Sequence, residues 1–396
     1  MLGVLAADDM AGRRTFTPGI DKAAAFIADE FKKTGLQTLK GNGNFLQSFQ
    51  MVKPQFISAS AQLDGQALDT KQVIVVTCQP KLLLNEQSGY QMVRILKGAN
   101  FLAEARKYAQ LTSNLVVLVD TSFASNFGRL VNLKNQLFAS AHSVVFLLTD
   151  KIPARYQIEA QHEITTQNLA NVVGILPGKT LPNEYVIFSG HYDHLGVNSR
   201  RAVNGDSIYN GANDDAAGTT AVMLLARYYQ ALGNNARTLV FAAFTAEEVG
   251  GFGATYFSQR FNPDEVKAMF NIEMIGTESK WGKNSAYITG YDKTDMGKIM
   301  QDNLAGTAFV FYPDPYPDQN LFYRSDNATL ARLGVPAHTL STSKMDNEPN
   351  YHKPSDEIGT LDMANMTRII QAIALSARGI VAGTQTPTRV DTRNLR

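Results

Sequence analysis

The strongest apolar signal in the chain is residues 238–244, a run rich in β-branched and aromatic side chains with no charged interruption. Such a run reads as a strand buried on both faces. Shorter runs of the same kind at 171–175, 185–189, 268–274, 286–289 and 335–340 predict further strands. Helical spacing predicts a helix over 218–232, stopped by Gly233, then helices at 294–303 and 327–333 and a long final one around 363–381. This alternation predicts an α/β domain, whose ligands belong at the C-terminal ends of its strands. An amphipathic helix is expected at 20–34, with Ile20, Ala24, Ile27 and Phe31 on its apolar face and Gly35 as its stop.

The texture changes between about 50 and 165. Short strands at 72–76, 115–119 and 144–148 alternate with polar loops and one helix near 101–108, with no cluster of metal ligands or paired acid and base, since His142 and His162 stand alone. This stretch is expected to be an inserted α/β module that shapes access. The domain reading is therefore a main domain from 1–50 and 166–385, an insertion over 51–165, and a polar tail over 386–396 expected to fray.

Composition narrows the function mainly by exclusion. With 44% hydrophobic residues over 396 positions, the chain can bury a large core. Lys and Arg number 37 against 36 Asp and Glu, so no basic field for nucleic acid is present. No stretch approaches the roughly 20 apolar residues of a membrane span. The lone Cys78 excludes a disulfide framework and any paired-cysteine motif. The first residues carry neither the basic nor the apolar region of a secretory signal, so a mature or trimmed form is expected. Arg13 and Arg14 fall in a loop before the first helix and are expected at the surface.

The chemistry lies at the rims of the predicted strands. The run over 238–244 delivers Glu247 and Glu248 side by side, and adjacent acids at the end of a buried strand call for cations. The run at 185–189 leads through Gly190 to His191, Tyr192, Asp193 and His194. Asp193 is placed to accept the second imidazole N–H of His191. Asp214 and Asp215 open the helix at 218, where one acid can cap while the other ligates. Glu273 ends another strand, and His352 sits in a loop beside Tyr351. Each signal is weak by itself, but two histidines and several carboxylates at successive rims suit a pair of metal ions. Mixed His and carboxylate donors without thiolate suit Zn²⁺.

In these motifs the chain resembles the M28 zinc peptidases, a family that includes leucyl-type aminopeptidases and glutamate carboxypeptidase II. The matching pieces are Gly190–His191–Tyr192–Asp193–His194–Leu195–Gly196, Gly211–Ala212–Asn213–Asp214–Asp215–Ala216–Ala217–Gly218, Ala246–Glu247–Glu248, Asn271–Ile272–Glu273–Met274–Ile275–Gly276 and Tyr351–His352–Lys353–Pro354–Ser355–Asp356. Weaker matches are Asp9–Met10–Ala11–Gly12–Arg13 and Ser325–Asp326. The resemblance implies a three-layer αβα fold with a central mixed, mainly parallel sheet, the insertion standing where relatives carry a protease-associated or lid domain. It also implies two Zn²⁺ per chain, held by His191, Asp214, Glu248, Glu273 and His352, with the Asp214 carboxylate bridging them and Asp214–Asp215 a candidate cis peptide. Asp193 and Asp215 would support that shell. Glu247 would be the general base and Tyr351 the oxyanion donor.

The family usually has Asp where this chain has Glu273, and many relatives have His where it has Asn327. The function implied is zinc-dependent exopeptidase action on peptides, foremost as an aminopeptidase. The alternatives are a glutamate carboxypeptidase-type hydrolase, with Arg13, Arg14, Arg200, Arg201 and Arg324 as candidate carboxylate contacts, or a metal-binding member without catalysis. A glutaminyl cyclase, which shares the fold, fits less well because the ligands for two metals are retained. Family likeness places the protein in the periplasm or outside the cell. Oligomeric state and side-chain preference are left open by the sequence.

Overall fold

The computed structural model describes residues 1–394. It divides into two compact units: one comprises residues 1–49 and those from 169 onward, the other Gln50–Asn168. No helix among the described residues is long and apolar enough to cross a membrane.

The first unit is built on a mixed sheet. Its strands run in the order Val310–Pro313, Ser285–Ile288, Ala337–Ser341, Val266–Ile272, Leu181–His191, Arg237–Phe244 and the end of Tyr156–Leu176. The four from Ala337–Ser341 to Arg237–Phe244 are mutually parallel, and the strands bordering that set on either side are antiparallel to it. Every residue of Arg237–Phe244 is buried, as its uninterrupted apolar run requires.

Alternation along the central strands makes the three layers. Phe188, Phe241 and Phe270 stack on one face, with ring centroids 5.6 and 5.0 Å from Phe188, and Tyr229 closes over Phe188 at 5.4 Å. The helices Pro18–Thr34, Gly218–Leu232 and Met363–Ser376 cover this face. Ile187, Val240 and Met269 point the other way, against Phe257 and Leu330 from the helices Phe252–Ser258 and Asn327–Ala331. Full burial of each such side chain stabilises the fold by about 1.5–3 kcal/mol, which makes the register of the sheet costly to change.

The end of this unit differs from the expected frayed tail. Arg237 donates to Gln385 O and Thr386 Oγ1, the Val390 N–H reaches Gly334 O, and the Val390 side chain is buried. A polar composition hid these ties because they run to backbone and hydroxyl groups far away in sequence. The final helix also stops at Ser376, and a separate turn, Arg378–Val381, follows it.

The second unit has its own four-stranded sheet, in the order Val73–Thr77, Ser143–Leu148, Leu115–Val119 and Gln91–Ile95. The helix Phe101–Tyr108 packs on one face, and Leu82, Leu84 and Ile158 cover the other.

Candidate metal centre

Three sequence-distant segments converge at one end of the main sheet because its parallel strands are in register. His191 pairs with Phe244, and Ser189 with Asn271, so His191, the turn after Phe244 and Glu273 emerge together. Ala246, Met274 and His352 have left-handed backbone, with φ of 61°, 52° and 56°. Such positions cost a non-glycine residue about 1–3 kcal/mol each, and they aim Glu247, Glu273 and His352 itself.

Asp214 lies at the middle. Its Oδ1 is 3.2 Å from His191 Nε2, and its Oδ2 is 3.2 Å from His352 Nε2. The Asp214–Asp215 bond is cis. The two acids divide their work as expected of a capping and a ligating carboxylate. Asp215 turns inward, where Oδ1 accepts the N–H of Gly218 at 3.0 Å and of Met274 at 3.1 Å, and Oδ2 accepts that of His191 at 3.1 Å. One carboxylate thus ties two of the converging segments to its own. Gly218 permits this contact, since a Cβ there would meet Ile272 O at 1.9 Å and the Asp215 oxygens at 2.5 Å.

Asp193 differs from its expected role. His191 Nδ1 is 3.1 Å from the backbone oxygen of Asp193 and 3.8 Å from its carboxylate. The carboxylate accepts the backbone N–H groups of Glu247 and Glu248 instead, at 3.1 and 3.4 Å. It orients the paired glutamates through their backbone, while the chain beside it fixes the imidazole. A pattern of residue types cannot distinguish a main-chain acceptor from a side-chain one.

Glu248 Oε2 is 3.3 Å from His352 Nε2, and Glu248 Oε1 is 2.8 Å from His194 Nδ1. His194 carried no assigned role, yet it is buried and its Nε2 has no hydrogen-bond partner. Its place three residues after His191 was the available signal. Two groups of metal-ligating atoms form, His191 with Asp214 and Glu273, and His194 with Asp214 and Glu248, each within 4.8 Å. They share Asp214, and Glu247 belongs to neither. His352 approaches the second group through the same two carboxylates.

The electrostatics show what this arrangement lacks. Burial foremost, reinforced by repulsion from Glu273, Asp326 and Glu248, holds Glu247 well above the usual carboxylate range. Burial and repulsion from Glu273 and Asp193 push Asp326 up to about 8, and neither of its oxygens has a hydrogen-bond partner. Hydrogen bonds to His194 and His352 overcome burial and bring Glu248 down to about 2. Those to Asp214 and Glu248 overcome burial and lift His352 to about 10, so these carboxylates draw positive charge into the space between them. His191 Nε2 is also buried, faces Asp214 Oδ1, and makes no hydrogen bond. Buried nitrogen and oxygen donors crowded together and short of positive charge fit divalent cations.

Of the five arginines weighed as carboxylate contacts, Arg324 lines the pocket beside these groups. Arg13 is fully buried rather than at the surface, bonded to backbone carbonyls. Tyr351 lines the same pocket, its ring stacked 3.9 Å from that of His352. Asn327 is an internal strut, donating to Phe322 O and Ala337 O.

Residues 171–377, more than half of the chain, match Peptidase family M28. The chain belongs to this family. Among its curated relatives, aminopeptidase YwaD of Bacillus subtilis (strain 168) is 24% identical over 229 residues, which cover 53% of this chain and 44% of that protein. A probable zinc metalloprotease of Pyricularia oryzae is 34% identical over 113 residues, 28% of this chain and 22% of that protein. The chain thus spans less than half the length of these curated relatives. The solved structure of BSAP, a zinc aminopeptidase from Bacillus subtilis, superposes with a TM-score of 0.56 at 14% identity, covering 100% of this chain and 95% of that one. At that identity the likeness speaks for the fold alone.

Proposed function

We propose that this chain is a zinc-dependent aminopeptidase whose active site would hold two Zn²⁺, with Asp214 contributing to both donor groups. The observation that carries the proposal is the pair of donor groups sharing Asp214, with Glu247 standing outside both. His191 and Glu273 would complete one site, and Glu248 with His352 the other, with His194 braced against Glu248. A zinc pair supplies an acidified water and a polarised carbonyl.

The rest is work for the side chains. Glu247 takes a proton from the attacking water and returns it to the leaving amine. Burial and the neighbouring carboxylates raise its proton affinity in the metal-free chain, the direction a base needs. Glu248 cannot share this role because His194 and His352 engage both of its oxygens. The Tyr351 hydroxyl donates to the developing oxyanion. Met274, Tyr287, Leu321 and Met345 line the pocket and suit an apolar side chain next to the scissile bond.

The carboxylates around Glu247 suit a free N-terminal ammonium group. A carboxypeptidase would need converging cations, and Arg324 alone among those considered lines the pocket. The deciding experiment compares peptides with free and acetylated N-termini on zinc-loaded protein, with zinc counted per chain. Cleavage confined to free N-termini, with two zinc ions bound, supports the proposal. Equal cleavage of both, release from the C-terminus, or a single ion at saturation contradicts it.

A further inference from the structure

Arg13 has no part in the proposed chemistry, yet it is a fully buried cation next to it. Its donors go to four backbone carbonyls rather than to a carboxylate. Nε donates to Tyr192 O at 2.8 Å, Nη1 to Leu5 O at 2.7 Å and Asn210 O at 2.5 Å, and Nη2 to Gly211 O at 2.9 Å. Tyr192 directly follows His191, and Asn210 and Gly211 lead into Asp214. In return, the His194 N–H donates to Arg13 O at 3.2 Å. One guanidinium thus spans the two loops that carry His191, His194 and Asp214.

The backbone is bent to put it there. Ala11, Gly12 and Arg13 are left-handed in succession, with φ of 47°, 62° and 47°. That conformation is unfavourable for L residues and persists only where the surroundings enforce it. A Cβ on Gly12 would meet Tyr209 O at 2.5 Å and Gly196 O at 2.7 Å, so the segment is pressed against both loops. Only arginine offers a planar fork of five donors wide enough for four carbonyls; lysine offers three donors from one point. The anions acting on its charge are Asp356, Asp193, Asp214 and Asp215, which belong to the centre or brace it.

We propose that Arg13 is a positioning residue for the metal centre, setting the spacing between the loop of His191 and His194 and the turn of Asp214. This rests on the metal-centre proposal above. Arg13→Lys keeps the charge and loses the span, whereas Arg13→Gln loses both.

The test measures zinc affinity of the metal-free proteins by chelator competition, together with the visible spectrum of the Co²⁺-loaded forms. Both substitutions should weaken zinc binding by about 10–100-fold, the range for groups that orient metal ligands, and change the Co²⁺ bands. Zinc affinity within twofold of wild type with an unchanged spectrum, even if melting temperature falls, would overturn the proposal and leave Arg13 a structural tie. Should neither variant fold, Asp8→Ala loosens the same strap from an exposed position, where Asp8 Oδ1 accepts from Asn210 Nδ2 at 2.8 Å. It should weaken zinc binding measurably, and unchanged affinity would again overturn the proposal. A wild-type protein that binds no zinc would instead sink the metal-centre proposal itself.

Discussion

Replacing Glu247 with Gln tests the proposed chemistry most directly, because the side chain can lose its function while its setting stays intact. Its position is set through the main chain: Asp193 Oδ1 accepts its N–H, and its carbonyl accepts those of Gly250 and Gly251 at 3.0 and 3.1 Å. None of these bonds uses the carboxylate. Glu247 also lies outside both donor groups, so the glutamine variant should hold the same number of zinc ions. A general base contributes about 10²–10⁴-fold, equivalent to about 3–5 kcal/mol of barrier. The turnover number should therefore fall by that factor with little change in KM.

Stability should move the other way. The crowding that raises the Glu247 pKa destabilises its ionised form, so the wild-type protein without metal loses stability as pH rises from the ordinary carboxylate range toward the folded value. Glutamine, always neutral, escapes that loss, and the chelated variant should melt above wild type at pH 8. The assay combines steady-state kinetics on a free peptide, zinc counted per chain, and calorimetry in chelator. A zinc-replete variant retaining more than a tenth of wild-type turnover would refute the role of Glu247. Lost zinc would show that Glu247 is a ligand instead.

Three further outcomes follow from the same geometry. Tyr351→Phe should lower turnover about 10²–10³-fold while leaving zinc content unchanged, and a loss under threefold would remove the phenol from the mechanism. Glu273→Asp withdraws the carboxylate by about 1.5 Å, one C–C bond. It should reduce binding at the site shared with His191 toward one zinc per chain at limiting metal, and two ions held with wild-type affinity would show that the longer side chain is not needed. In chelator, the wild-type protein should melt higher at pH 5 than at pH 8. Asp326, raised to about 8, and His352, raised to about 10, both contribute stability that is lost as pH climbs through those values. A melting temperature that is flat or rises over that window would contradict the electrostatic picture.

Much of this protein was legible in one dimension. An uninterrupted apolar run such as 238–244 can satisfy its side chains only between two layers, which is how Arg237–Phe244 lies. The motifs around His191, Glu247 and Glu273 could be read together because parallel strands place their C-terminal ends together, so residues far apart in sequence share one rim. The separate roles of Asp214 and Asp215 were also open to reading: position offered a capping and a ligating acid, and the family resemblance implied which took which.

What only the tertiary structure decided concerns groups whose partners are main-chain atoms or distant side chains. Asp193 turned from the imidazole to the amides of Glu247 and Glu248, a choice between a backbone and a side-chain acceptor that residue type does not encode. His194 entered the centre because folding set its Nδ1 against Glu248, 54 positions away. Arg13, expected at the surface, is buried because two loops some 180 and 200 residues further on present three carbonyls to it. Local pattern reports which side chains seek burial or charge; only the fold determines which distant oxygen or nitrogen meets them.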